Sequence, residues 1–181
     1  PVLDAPILGS PVEAAESNVI VMPSGNKHSY EEVLPIFKSF ASKVVYQGHL
    51  GMGSTCKLVN NMITLAVRQI IAEGLTLGLK AGLDLTSLME SGSRTVLGYQ
   101  SEGLEKTVFK GQYEPASFRQ ALALKDITLA NELGRDLDVP MPVANLVEQI
   151  STTVRKRGWG NLDTHVIYRL QEELSGVKIR P

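Results

Sequence analysis

The sequence predicts a mainly α-helical chain: an all-helical region over residues 54–181, preceded over residues 1–53 by a short α/β segment that reads as the trailing edge of a larger sheet. Three observations carry that prediction. From Ser54 almost to the end, apolar residues recur at helical spacing, and the breaks between them are short and marked by Gly, Pro or a capping side chain. Before Ser54 the apolar residues come in brief β-branched runs closed by turn residues. Those runs are too few to cover both faces of a parallel sheet.

In chain order, Val2 and Leu3 end at Asp4-Ala5-Pro6, residues 18–22 form an apolar run closed by Pro23-Ser24-Gly25-Asn26, and residues 43–46 are again β-branched and aromatic. Three strands are expected. A helix over residues 29–42 separates the last two, with Ser29 as N-cap and Glu32 in the capping-box position. The next helix should run from about Ser54 or Thr55 to about Ala81, with Leu58, Met62, Leu65, Ile70, Ile71, Leu75 and Leu79 apolar, so that most of its circumference is covered. Gly74, Gly78 and Gly82 admit close approach of another helix or, at Gly82, termination. Glu73, among apolar neighbours, needs a partner if buried. Asp84 caps a short helix through Ser91, and residues 94–109 form an amphipathic stretch. A helix from Pro115 or Ala116 to Leu137 follows, then one over residues 143–156, and a last one after Asp163 with Val166, Ile167, Leu170 and Leu174 as its apolar side. Trp159, between two glycines, should plug the last helices.

The 181 residues carry 43% hydrophobic content and a formal charge of -1, which suits a chain with a sizeable core and gives no field for nucleic acid or an anionic membrane. Neither partner is expected. Cys56 is the only cysteine, so internal disulfides and multi-cysteine metal sites are excluded. The three histidines lack metal-ligand spacing, and no hydrolase triad has a local signature. No apolar run approaches the roughly 20 residues that a membrane-spanning helix needs, and no leader-like segment opens the chain, so a cytoplasmic protein is expected. The chain opens on PVLDAP without methionine, as a fragment would, and a targeting signal upstream of Pro1 stays open.

The stretch GHLGMGSTCKLVNN (residues 48–61) holds the most chemistry. With a helix starting near Ser54, Lys57, Asn60 and Asn61 stand at i, i+3 and i+4 on one face. An ammonium and two amides then converge, the equipment for moving a proton and holding a hydroxyl or carboxylate. A solvated lysine beside two capping asparagines is the bland alternative. Gly48-x-x-Gly51-x-Gly53 is no dinucleotide fingerprint, because the glycine order differs and a helix follows where a second strand should stand. Backbone amides at that helix start remain able to bind an anion. Further on, Phe118, Leu122 and Lys125 fall near one helical face, with Asp126 alongside; they line a flat cofactor or pack as core with a snorkelling amine.

Taken together, these residues resemble the β-hydroxyacid dehydrogenase family, which includes 3-hydroxyisobutyrate dehydrogenase, tartronate semialdehyde reductase and glyoxylate/succinic semialdehyde reductases. The resemblance runs from Pro1 to about Glu173. It is most specific at Gly48-x-x-Gly51-x-Gly53-x-x-x-Lys57-x-x-Asn60-Asn61, then Phe118, Lys125-Asp126 and Gly158-x-Gly160-x-x-Asp163. It implies the last strands of a Rossmann domain followed by the helical domain, and NAD or NADP as cofactor. It implies Lys57 as the catalytic lysine, Asn61 as a substrate-binding amide, Gly9 and Ser10 in the substrate loop Asp4-Ala5-Pro6-x-x-Gly9, and Phe118, Lys125 and Asp126 at the edge of the nicotinamide site. No metal is implied. The substrate would be a small hydroxyacid or semialdehyde, and the assembly a homodimer or higher homo-oligomer. Two departures stand out: Leu8 occupies the position before the loop glycine where the family has serine, and the nucleotide-binding half with its G-x-G-x-x-G is missing from residues 1–181. A helical dimerisation module with an idle lysine pocket, and an imine-reducing variant, are the competing readings.

Overall fold

The apolar run expected near residue 18 forms the middle strand of a small sheet. In the computed structural model, which describes residues 1–181, β3 (Val19–Val21) pairs antiparallel with β2 (Ile7–Leu8) and parallel with β5 (Ala41–Val44). A second, two-stranded pair joins β1 (Leu3–Asp4) to β4 (Ser24–Gly25) and sets Asp4 opposite Ser24. Five short strands thus stand where three were expected. Val19, Val21 and Met22 are buried, which explains why this run is apolar without alternation. The parallel link from β3 to β5 passes through α2 (Lys27–Phe40), so the expected strand-helix-strand unit is present. Its helix starts earlier than expected: the Asn26 side chain accepts from the Ser29 amide at 2.9 Å, so Asn26 is the cap and Ser29 lies inside the first turn.

A short helix that the sequence analysis did not foresee, α1 (Pro11–Ala15), follows β2. Ser10 caps it: the Ser10 hydroxyl accepts from the Glu13 amide at 3.2 Å while the Glu13 carboxylate accepts from the Ser10 amide at 2.7 Å. Pro11 at the first helical position loses nothing by lacking an N–H.

The longest element, α3 (Met52–Lys80), begins just before its predicted start. The contact-dense units are Pro1–Met62 and Ile63–Pro181, and the division between them falls inside α3. Beyond it come α4 (Leu85–Ser91), α5 (Val96–Gly103) widening into a π turn at Leu104–Val108, α6 (Gln120–Asp136), α7 (Pro142–Val154) ending in a second π turn at Arg155–Trp159, and α8 (Val166–Ser175). The second unit is therefore all-helical, as predicted. Ile71, Leu75, Leu104, Val154, Tyr168 and Ile179 are among its core residues, and Trp159 packs against them under the guanidinium of Arg169.

Several side chains lie elsewhere than expected. Ile70 and Leu174 are 61% and 70% exposed, because each falls on the outer face of its helix. Glu73 is exposed and accepts from Gln69 at 2.7 Å, so it needs no buried partner. The glycine series splits: a Cβ on Gly78 would meet Leu88 at 3.0 Å, Gly82 turns the chain with φ +91°, and a Cβ on Gly74 would meet nothing within 4 Å. α3 also contains an 18-residue window long and apolar enough to cross a membrane, contrary to the expectation that no such segment exists. Only 33% of that window is buried, so most of the circumference of α3 is not covered as expected; Leu65, Ile71, Ala72 and Leu75 form its buried side.

Candidate active site

In the first unit, the start of α3 is held by side chains from the β1/β4 pair. The Asp4 carboxylate accepts from the Ser54 amide at 2.7 Å and from the Ser54 hydroxyl at 2.8 Å. The Ser24 hydroxyl donates to Asp4 at 3.2 Å and accepts from the Gly53 amide at 2.9 Å. These bonds satisfy two of the amides that every helix start leaves open, and they place a negative charge at the positive end of the helix. The expected anion-binding role of those amides is therefore taken by the protein's own carboxylate. Gly53 is required here, since a Cβ would stand 2.2 Å from the Met22 carbonyl oxygen. Gly48 and Gly51, with φ of +92° and +90°, turn the chain into the helix.

Lys57 and Asn61 follow on α3, one turn apart and both half-buried. Asn60 parts from them: it is exposed, and its amide donates to the Cys56 carbonyl at 2.9 Å. Gly9 has φ +141°, and a Cβ there would meet the Val19 side chain at 2.8 Å. Ser10 is the α1 cap already described, and Leu8 is fixed in β2 opposite Ile20.

In the second unit, Phe118 does not share a helix with Lys125. The expected helix from residue 115 or 116 begins only at Gln120, because the amides of residues 117 and 118 bond elsewhere. The Asp163 carboxylate accepts from the Ser117 amide at 2.8 Å, the Ser117 hydroxyl at 2.6 Å and the Phe118 amide at 3.3 Å. Its other oxygen accepts from the His165 amide at 3.0 Å and lies 2.7 Å from His165 Nδ1. Thr164 donates its amide to the Phe118 carbonyl at 2.9 Å, and Gln120 donates to Leu162 at 2.9 Å. Phe118 is thus a half-buried ring on a loop clamped by the turn before α8.

Burial alone would raise the Asp163 carboxyl, but the bonds from His165 and Ser117 outweigh it and hold the group well below the usual carboxylate range. Burial lowers His165 more than its bond to Asp163 raises it, so the ring is neutral and Nδ1 carries the proton given to the carboxylate. The buried Arg68 guanidinium, lowered by desolvation, bonds the Thr164 hydroxyl and lies in the field of Asp163. Lys125 and Asp126 form an ion pair at 2.6 Å, the ammonium largely exposed and the carboxylate buried. The roles of Asp4 and Asp163 escaped the sequence reading. Each bonds residues distant in the chain, so no local spacing announces it.

Residues 51–171 match the family model described as the NAD-binding domain of NADP-dependent 3-hydroxyisobutyrate dehydrogenase, and residues 1–48 match the NAD-binding domain of 6-phosphogluconate dehydrogenase. The chain belongs to the β-hydroxyacid dehydrogenase family. Among the relatives of this family, it is 28% identical over 179 residues to 2-(hydroxymethyl)glutarate dehydrogenase of Eubacterium barkeri, covering 98% of this chain and 59% of the relative. It is 32% identical over 164 residues to glyoxylate/succinic semialdehyde reductase 1 of Arabidopsis thaliana, covering 89% and 56%. The solved Mycobacterium tuberculosis 3-hydroxyisobutyrate dehydrogenase with L-serine superposes with a TM-score of 0.82 at 25% identity, over 93% of this chain and 60% of that one. The chain therefore spans rather more than half the length of its family relatives.

The family's cofactor is a nicotinamide dinucleotide. No G-x-G-x-x-G occurs in the sequence, so the usual backbone cradle for a pyrophosphate is not among these residues.

Proposed function

We propose that this chain is the substrate-side part of an NAD- or NADP-dependent oxidoreductase that interconverts a small β-hydroxyacid and the corresponding semialdehyde, with Lys57 as the proton donor and acceptor. What supports the reading most is the pairing of a half-buried Lys57 with Asn61 one turn along a helix whose start is held by Asp4 and Ser24. The nicotinamide, when bound, supplies or accepts hydride at the carbinol carbon. The substrate oxygen gains negative charge as its carbonyl is reduced, and an ammonium beside it both stabilises that charge and delivers the proton. In the reverse direction the amine form of Lys57 takes the hydroxyl proton. Asn61 offers an amide donor and a carbonyl acceptor to fix the hydroxyl in line. In the substrate loop, the Ser10 hydroxyl accepts from Glu13 and keeps its own proton to donate to a substrate carboxylate. Phe118, Lys125 and Asp126 would hold the nicotinamide end.

Replacing Lys57 by Ala in the full-length protein should lower turnover on short hydroxyacids about 10²- to 10⁴-fold, the range for a positioned acid-base group, with the fold intact by circular dichroism. Near-normal turnover would remove the assignment. Residues 1–181 alone should show no dehydrogenase turnover.

Self-association accompanies this reading. Ile63, Ile70 and Leu77 are exposed at seven-residue intervals along α3, an apolar stripe suited to a second copy of the chain. Sedimentation should show at least a dimer, and Ile70→Glu should shift it to monomer.

A further inference from the structure

The segment that carries Gly9 and Ser10 and the helix that carries Lys57 are joined at one residue, Asp4. The joint is unusual in being made from outside the helix. A helix is ordinarily capped by the residue just before it, whereas the carboxylate that accepts from Ser54 comes from fifty positions earlier. Asp4 is held in its turn. It sits on β1 in register with Ser24 on β4, and the Ser24 hydroxyl bridges Asp4 to the Gly53 amide. The Met22 amide donates to the Pro6 carbonyl at 2.9 Å, which ties the chain just after Asp4 to the same strand end. Gly53 lets the helix start lie against this anchor, since any side chain there would overlap Met22, Pro6 and Asp4.

Lys57 lies three residues past Ser54, about 4.5 Å of helix rise. At so short a lever, a shift in the helix start passes to the amine almost undiminished. The opposite end of the anchor leads through Pro6 into β2 and the Gly9-Ser10 turn.

We propose that Asp4 is a positioning residue: by clamping Ser54 it sets the register between the Gly9-Ser10 loop and the Lys57 amine. It touches no reacting atom. The proposal rests on the assignment of Lys57 as the proton donor, and it adds that the amine is productive only while the Asp4–Ser54 pair is closed.

The test compares Asp4→Ala, Asp4→Asn, Ser54→Ala and Lys57→Ala in the full-length protein, with kcat and KM for a short hydroxyacid and amide hydrogen exchange at Gly53 and Ser54. Asp4→Ala should lower kcat about a hundredfold, the cost of a displacement of roughly 1 Å at a reacting group. KM for the nicotinamide cofactor should stay unchanged, and exchange at Ser54 should rise. Asp4→Asn keeps an acceptor for the Ser54 amide and should recover most of kcat; Ser54→Ala, which loses only the hydroxyl bond, should lie between. A kcat that survives Asp4→Ala, or one that falls equally in Asp4→Ala and Asp4→Asn with Ser54 still protected, overturns the proposal. Should Asp4→Ala fail to fold, the Asn and Ser54 variants decide by the same criteria. Lys57→Ala is read separately: full turnover there removes the amine's role, while exchange at Ser54 still reports whether Asp4 holds the helix.

Discussion

Asp4 and Asp163 do similar work in the two units under opposite conditions. Both are carboxylates that accept from the backbone amide and the hydroxyl of a serine remote in sequence, Ser54 for one and Ser117 for the other. Asp4 is partly exposed and its helix start borders water, so amides that lose it are solvated in its place. Asp163 is 1% exposed and shares its surroundings with a buried guanidinium and a neutral imidazole. The difference separates geometry from stability. A clamp at the surface sets where a side chain points at small cost to the fold, whereas a clamp in the core cannot be opened without leaving buried polar groups short of a partner.

That contrast is broken most severely at Asp163. Asp163→Ala takes the carboxylate's field from Arg68 and releases the Ser117, Phe118 and His165 amides, and should destabilise by about 3–5 kcal/mol, the range for removing one partner of a buried pair. Asp4→Ala should cost about 1 kcal/mol, as for a helix cap. Urea midpoints of the two variants decide the matter; equal losses would mean that burial is not what distinguishes them.

Acid sharpens the same comparison. His165 is lowered in the fold from an ordinary value of 6.5, so below that pH the unfolded chain binds a proton that the folded one resists, and stability falls as pH drops. Asp163 is lowered from 3.8, so its contribution is complete above that value and is lost as pH falls further. Thermal melts should show both losses, on the acid side of each value. Glu13 and Asp84 are lowered too and persist in a variant, so the Asp163 share is the part of the second step that disappears in Asp163→Asn. Asp4→Asn should leave the first step untouched.

The two regions also differ in how much of them was legible from the sequence. The bounds of α4 follow from Asp84, whose side chain accepts from Ser87 at 2.8 Å, because cap and capped amide are three residues apart. The start of α6 was misplaced because the groups that delay it, Asp163 and Leu162, lie more than forty residues downstream. Helical periodicity continues through Phe118, but periodicity does not record where the amides go. The Ser10 cap is the opposite case, since Ser10-Pro11-x-Glu13 is a local signature with proline at the first helical position. It was passed over in favour of Gly9 and Ser10 as a substrate loop. Of the candidate site, the placement of Lys57 and Asn61 one turn apart on a helix was legible from spacing alone. What fixes the helix carrying them was not, for it depends on a strand register that only the folded chain reveals.

The smallest effect concerns the glycines of α3, where close packing and mere helix cost can be told apart. Gly53 touches backbone that cannot yield, 2.2 Å from where its Cβ would stand, so its exclusion of side chains follows from the same anchor that positions Ser54. Gly74 lies in the helix interior with nothing within 4 Å of a Cβ. Glycine there only adds conformational entropy to the unfolded chain, and Gly74→Ala should stabilise by about 0.8–1 kcal/mol. A rise in melting temperature with unchanged oligomeric state means that this face of α3 stays open. A fall, accompanied by dissociation in sedimentation, means that a second copy of the chain packs directly over Gly74, and that the glycine spacing serves an interface and not the fold of one chain.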